Sequence, residues 1–370
     1  MNPTLTNQSE EADVYRFTLG GLNVSIANAI RRTILSEIPI TVVRTETYQD
    51  NQCNITINTS RLHNEILKQR LSCIPIHITD MDLLPNKYVL EVDVANDTDA
   101  TMFVTTEQFK IKNKLNGNYL TKEETKRIFP PNQKTNCYID FARLRPKISD
   151  VIPGEHLKLS AEFSVANARV DGAFNVVSKC SYGNTPDIAK ANTGWEAQEA
   201  KLRSLDAPSA EIEFQKRNYY LLDAQRHFIA DSFDFVIQTV GIYENKALLV
   251  MANQILVDKF SDLIKEIDED TLHINHSETT MEFGYDIILN NEDYTVGKVV
   301  EYLLYEKHYQ GDKILSFCGF KKLHPHDTTS IVRIAFNEQA DKNTVKQYLR
   351  AVCIDAQDIF KKIGGLSSDT

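Results

Sequence analysis

No run of about 18 apolar residues occurs anywhere in the 370-residue chain, so a membrane-spanning helix is not expected. The opening residues MNPTLTNQSEEADVY lack the basic-then-apolar layout of a secretory signal, which points to an intracellular, non-secreted protein. Cysteine is present but unorganised: the six, at 53, 73, 137, 180, 318 and 353, form no CxC, CxxC or CxxxC spacing. That spacing leaves out a disulfide framework and a zinc knuckle and reads as buried thiols. A surplus of positive charge is missing too. With a net charge of −10 the surface as a whole is no nucleic-acid footprint, although a local basic patch is compatible with that total.

Catalytic signatures are equally scarce. GGLNVS lacks the spacing of a GxGxxG phosphate loop, and no GxxxxGK[ST], HExxH, GxSxG or DFG-like set occurs. Histidines pair only as His273/His276 in HINH and His324/His326 in HPH. The first pair has the i, i+3 spacing of one helical face, but its neighbours are strand-like and no third ligand is indicated. The second reads as a turn. Carboxylates in YQDN and NNED sit in turn-like sequence, where Asp and Asn bond to their own backbone. A stand-alone metal-dependent hydrolase using the histidine pairs is the alternative these residues allow, with stoichiometric zinc as its signature.

What is present is 42% hydrophobic sequence, enough for a sizeable core, and a length that suits two or three domains. After a polar tail, VYRFTL (14–19) alternates as a strand, and Gly20 and Gly21 break it. NVSIANAIRRTILSEIP (23–39) reads as a helix, with Asn23 or Ser25 as candidate cap and Ile26, Ile30, Ile34 and Ile38 in one row; Pro39 ends it. From about residue 40 to 165, six strand-like segments are interrupted by one helix, LHNEILKQRL, which Thr59 or Ser60 could cap. Residues 185–227 are polar and helical in pieces. The strand FDFVIQTVGIY and helix KALLVMANQILVDKFSDLIKEI follow. The acidic run EIDED (266–270) reads as a domain boundary at a helix end, where acids oppose the dipole and favour fraying.

Beyond that run the plan restarts. A strand in TTMEFGYDIILNN leads to the helix TVGKVVEYLLYEKHY, with Val296, Val299, Val300, Leu303 and Leu304 on one face. Two strand-like segments then precede a last helix, TVKQYLRAVCIDAQDIFKKI, striped by Val345, Tyr348, Leu349, Val352, Ala356, Ile359, Phe360 and Ile363. Both halves share one order of strand, helix, strands and closing helix. This is a weak internal duplication in an α+β protein.

NAIRRTILSEIP (28–39) resembles the signature helix of the alpha-type assembly subunits of multisubunit RNA polymerases: bacterial alpha, archaeal D and the third-largest eukaryotic subunit. ITINTSRLHNEILKQRLSCIPI (55–76) and FDFVIQTVG (233–241) continue that likeness. Independently, NNEDYTVGKVVEYLLY (290–305) and CGFKKLHPHDTTSIVRIAF (318–336) resemble the small partner subunit, archaeal L and its eukaryotic counterpart. The resemblances span most of residues 14–364 and are weakest at 185–232. They imply a large and a small assembly subunit fused head to tail, as in some large DNA viruses that encode their own polymerase, and packaged in the virion if the source is viral. The implied fold is α+β. A D-like dimerisation domain (14–50 and 155–265) and an L-like one (273–364) form an intramolecular pseudo-heterodimer, with a mainly β inserted domain (51–154) and a linker (266–272).

The function this resemblance implies is a non-catalytic assembly scaffold without cofactor, metal or catalytic residues. It docks the second-largest and largest polymerase subunits and small auxiliary subunits, meets nucleic acid only indirectly and has no membrane partner. Arg31 and Arg32 are the implied anchors for a large subunit, with Asn28 and Glu37 as lesser contributors. The plainer reading is that these arginines pair with Glu37 or reach to water. The implied lobe–lobe interface comprises Ile26, Ile30, Ile34, Val296, Val299, Leu303, Tyr348, Val352 and Ile359. Cys53, Cys73 and Cys137 do not reproduce the cysteine cluster of many relatives, so neither zinc nor an iron–sulfur cluster is expected. Nothing resembles the DNA-binding C-terminal domain of bacterial alpha, and direct promoter contact is not expected.

Overall fold

The computed structural model describes residues 1–149 and 151–368. Its first strand is one the polar composition concealed. The supposed tail is β1 (Thr4–Glu11), which pairs antiparallel with β2 (Val14–Gly20) through the two-residue loop Ala12–Asp13. Both loop residues have positive φ, 51° and 65°, the backbone twist that a two-residue hairpin needs. Because β1 is an edge strand, its ladder to β2 holds it without an apolar face of its own. Gly21 then turns the chain at φ +73°, where a Cβ would lie 2.3 Å from the Asn2 carbonyl oxygen. Helix α1 (Val24–Ser36) starts under Asn23, whose Oδ1 accepts from the Ser25 amide at 2.8 Å.

Two units divide the chain: one comprises Ile34–Ser178 and Thr239–Leu248, the other Met1–Thr33, Lys179–Gln238 and the residues from Leu249 onward. The first of these is mainly β. Its elements are β3 (Ile40–Val42), β4 (Cys53–Asn58), α2 (Asn64–Ser72), β5 (Tyr88–Ala95), β6 (Met102–Thr105), β7 (Lys110–Asn113), α3 (Lys122–Ile128), β8 (Asp140–Leu144), β9 (His156–Glu162) and β10 (Ser164–Ala166). A four-stranded sheet in the order β4-β9-β5-β7 is accompanied by the pairs β6-β8 and β10-β3. Phe109 sits at its core, edge-on to Phe129 (5.2 Å) and Phe141 (5.5 Å). The expected cap of α2 is corrected here. His63 occupies that position without a side-chain bond, because the Thr59 hydroxyl is engaged by the His156 amide (2.7 Å) and the Ser60 hydroxyl by Asn58 (2.7 Å). A capping box that was overlooked, Thr121 with Glu124, starts α3.

The second unit holds the remaining elements: β11 (Val177–Pro186), α4 (Ile188–Ser204), α5 (Ser209–Leu221), β12 (Phe228–Thr239), α6 (Asn245–Asp268), β13 (His273–His276), β14 (Gly284–Asn290), α7 (Tyr294–Leu304), β15 (Leu315–Lys321), β16 (Thr329–Phe336) and α8 (Lys342–Ser368). One sheet runs β1-β2-β12-β11 and another β13-β14-β16-β15. Alternation along β2 and β12 sends Tyr15, Phe17 and Leu19, and Phe233, Phe235 and Ile237, inward, and Phe17 stacks on its cross-strand partner Phe235 at 5.0 Å. On the second sheet the neighbours Asp286 and Arg333 form a two-point ion pair, both bonds 2.6 Å. The helix expected to continue to Tyr309 leaves α geometry at Leu304 for a π-helical turn, Tyr305–Gly311. Trp195 on α4 packs against Tyr219 on α5, whose hydroxyl donates to the Ala191 carbonyl at 2.9 Å.

Candidate assembly interface

The two adjacent arginines of α1 have different neighbours. Consecutive residues on a helix point about 100° apart, so a pair cannot share one target face. Arg31 donates from Nε and Nη2 to Asn28 Oδ1 (3.1 and 2.9 Å), one turn back on its own helix. It lies on the β11 side. There, burial pushes the Cys180 thiol up to about 12 while the Arg31 charge pulls the other way. Half-exposed, Arg31 makes no ion pair among the described residues.

Arg32 instead donates from Nε to Thr295 Oγ1 (2.9 Å) and from Nη2 to Asp293 Oδ2 (2.6 Å). Asp293 is the N-cap of α7, its Oδ1 accepting from the Thr295 amide at 2.8 Å. Burial alone would push the Asp293 carboxyl up; the Thr295 hydrogen bonds and the Arg32 charge outweigh it and hold the group below the ordinary carboxylate range. Next to it, Glu292 Oε1 receives Lys259 Nζ of α6 at 2.8 Å. Helices α1 and α6 therefore each send one cation to two consecutive acids at the start of α7. The NNED carboxylates, read as turn formers, are a cap and a clamp.

Further along, α6 and α8 meet directly. Phe260 stacks on Phe360 at 5.9 Å, and Gln357 Nε2 donates to Ser261 Oγ (2.6 Å) and the Val257 carbonyl (3.3 Å). The acidic run, expected to fray, is held by cations from α8: Arg350 bonds Asp268 (2.8 and 3.2 Å) and Lys346 bonds Asp270 (2.5 Å).

Of the expected interface residues, Ile26, Ile30, Ile34, Val296, Val299, Leu303, Val352 and Ile359 are buried. Tyr348 is half-buried, and its ring neighbours, His308 (4.5 Å) and Phe336 (6.0 Å), both belong to the C-terminal segment. Glu37 receives Arg169 Nη1 at 2.8 Å. Lys259, Glu292, Asp293, Thr295 and Gln357 were not among the expected contacts, whereas Phe360 belonged to the expected stripe of α8. For Asp293 the signal was available, an Asp immediately before an apolar helical run.

The histidine pairs do not converge. His273 and His276 lie on β13, where i and i+3 point to opposite faces, and His324 and His326 stand in a turn with rings 5.2 Å apart. Among the described residues no group of three His, Cys, Asp or Glu is placed to hold a metal, and no helix is long and apolar enough to cross a membrane.

Residues 16–260 match the profile of the RNA polymerase Rpb3/Rpb11 dimerisation domain. The chain belongs to this family. Its similarity to individual Rpb3/Rpb11-family proteins is modest. DNA-directed RNA polymerase subunit Rpo3 of Pyrococcus furiosus is 39% identical over 67 residues, 18% of this chain and 23% of that one. The subunit rpac1 of RNA polymerases I and III from Dictyostelium discoideum is 40% identical over 82 residues, 21% and 22% of the two chains. Both matches span less than a quarter of the relative. A longer match, to Rpo3 of Pyrococcus horikoshii, is 24% identical over 275 residues, 69% of this chain and 94% of that protein. The family profile ends before α7, the helix that the clamp ties to α1 and α6.

Proposed function

We propose that this chain is a non-catalytic assembly scaffold of a DNA-directed RNA polymerase, carrying a large and a small alpha-like dimerisation lobe on one polypeptide. The lobes are residues 14–50 with 155–265 and residues 273–364, joined through 266–272. The observation that carries the reading is the double ion pair from Arg32 and Lys259 to Asp293 and Glu292, in a chain whose family is defined by dimerisation. Linking the lobes replaces concentration-dependent pairing by an effective concentration on the order of millimolar.

The two arginines then divide the work. Arg32 locks the lobes, while Arg31, oriented by Asn28, offers its planar donor fork to a carboxylate or carbonyl of the second-largest subunit. The largest subunit and small auxiliary subunits complete the assembly. Co-purification with tagged second-largest subunit tests this. Arg31→Glu should reduce recovery by about tenfold, the effect of losing one interfacial charge contact worth roughly 1.4 kcal/mol or more. Arg32→Glu should first lower the stability of the isolated chain. Full recovery with Arg31→Glu would refute the anchor role.

A further inference from the structure

The start of α7 repeats the start of α1 position by position. Strand β2 ends at Gly20 and β14 at Asn290, and the next residue in each case, Gly21 or Asn291, has positive φ, 73° and 55°. Two residues further on, Asn23 and Asp293 cap the helices in one geometry, each Oδ1 accepting at 2.8 Å from the amide two positions ahead, that of Ser25 or Thr295. The two helix starts thus correspond at an offset of 270 (293 − 23). Ile26 falls on Val296 and Ile30 on Val300, all four buried.

The charges break this correspondence. Asp293 falls on Asn23, Glu292 on Leu22 and Arg32 on Tyr302, so the α1 copy holds the cation of the clamp and the α7 copy its acids. Neither copy holds both. A second contact is one-way as well. Five residues separate β12 from α6 and β16 from α8, an offset of 97 (342 − 245). Arg350 and Lys346 of α8 hold Asp268 and Asp270 at the end of α6, yet their counterparts on α6 are the uncharged Asn253 and Leu249. Asp268 itself falls on Gly365, whose neighbour Gly364 faces Asn253: a Cβ on Gly364 would lie 3.6 Å from the Asn253 Cβ. The mirror image of the Arg350–Asp268 contact is therefore made without charge.

Apolar rows cannot tell one copy from the other, because both carry one. Charge can. Two α1-type surfaces set against each other would bring Arg32 to Asn23 and Leu22, and two α7-type surfaces would bring Asp293 to Tyr302. Each arrangement leaves partly buried charges without a counter-charge, a penalty that only the unlike pairing escapes.

We propose that these charges are a pairing code: they make each lobe accept the unlike lobe and refuse a like one, so that copies of the chain close on themselves instead of joining through like lobes. The code rests on the two-lobe reading above and adds to it the residues that choose the partner. Arg32 and Lys259 select Asp293 and Glu292; Arg350 and Lys346 select Asp268 and Asp270.

Charge reversal in two full-length chains tests the code. One carries Arg32→Glu with Lys259→Glu, the other Glu292→Lys with Asp293→Lys. Alone, each sets like charges against each other across the clamp; together, the acidic surface of the first meets the basic α7 start of the second, and the two unaltered surfaces also match. After joint refolding from urea, the affinity-tagged first chain should capture the untagged second at least about tenfold more than an untagged copy of itself, and native chains should not capture one another. Asp293→Lys also removes the cap of α7, so the assay is repeated with Lys346→Glu plus Arg350→Glu against Asp268→Arg plus Asp270→Asn, which leaves that cap in place. Capture of the complementary chain no better than self-capture in both variant pairs, or native chains exchanging as readily as reversed ones, overturns the proposal. The assay contains no polymerase subunit, so its failure is distinct from failure of the scaffold reading, which co-purification with Arg31→Glu reports.

Discussion

The clamp between Arg32 and Asp293 makes a prediction whose size follows from its geometry. The two side chains keep 33% and 24% of their surface exposed, placing the pair between surface ion pairs, worth about 0.2–1 kcal/mol, and buried ones, whose disruption costs roughly 3–5 kcal/mol. With a direct charge-assisted hydrogen bond, a coupling of about 1–1.5 kcal/mol is expected from a double-mutant cycle of Arg32→Leu and Asp293→Ser. Serine at 293 still caps α7, so that cycle isolates the charge. Asp293→Ala also removes the cap and should cost about 1 kcal/mol more.

The pH dependence has a definite sign. Because the folded carboxyl is held below its ordinary value, its contribution is fully present above about pH 4 and is lost as the pH falls through the lower folded value. Urea unfolding of the full chain, followed by far-ultraviolet circular dichroism near pH 7 and again in acid, measures each quantity. A coupling below about 0.3 kcal/mol near neutrality, or Asp293→Ser as damaging as Asp293→Ala, would refute the reasoning.

Two further outcomes are expected. Gly297→Ala should lower stability by about 1–2 kcal/mol despite alanine's higher helix propensity, because the new Cβ would sit 2.0 Å from Phe320 Cε2; a raised melting temperature would contradict this. Titration of the native chain with a disulfide reagent should label Cys73 and Cys137 rapidly, and Cys53, Cys180 and Cys353 only after unfolding. Burial pushes the Cys53 thiol up to about 11 and Cys180 up to about 12, keeping both protonated; rapid labelling of either in the native state would contradict the packing.

The apolar rows were legible in the residues themselves. Helical spacing marked Ile26, Ile30 and Ile34, the stripe of α7 and that of α8, since a buried face requires apolar groups every three or four positions. Alternation marked β2 and β14 for the same reason with period two, and β12 and β16 read as strand-like segments. The polar strand β1 was not legible, because an edge strand is stabilised by backbone bonds to its neighbour and needs no apolar pattern. Family membership was legible too, carried by motifs within residues 28–76 and 233–241.

The sequence by itself thus determined which faces are buried and where the helices run. Only the tertiary structure decided which charges meet. Arg31 and Arg32 are chemically identical neighbours, and their separate fates follow from the fold: Arg31 bonds Asn28 on its own helix, while Arg32 meets Asp293 and Thr295, brought to it from the far half of the chain. Hydrophobic burial is a property of a local pattern, but an ion pair depends on two side chains arriving together, and that contact exists only once the chain has folded.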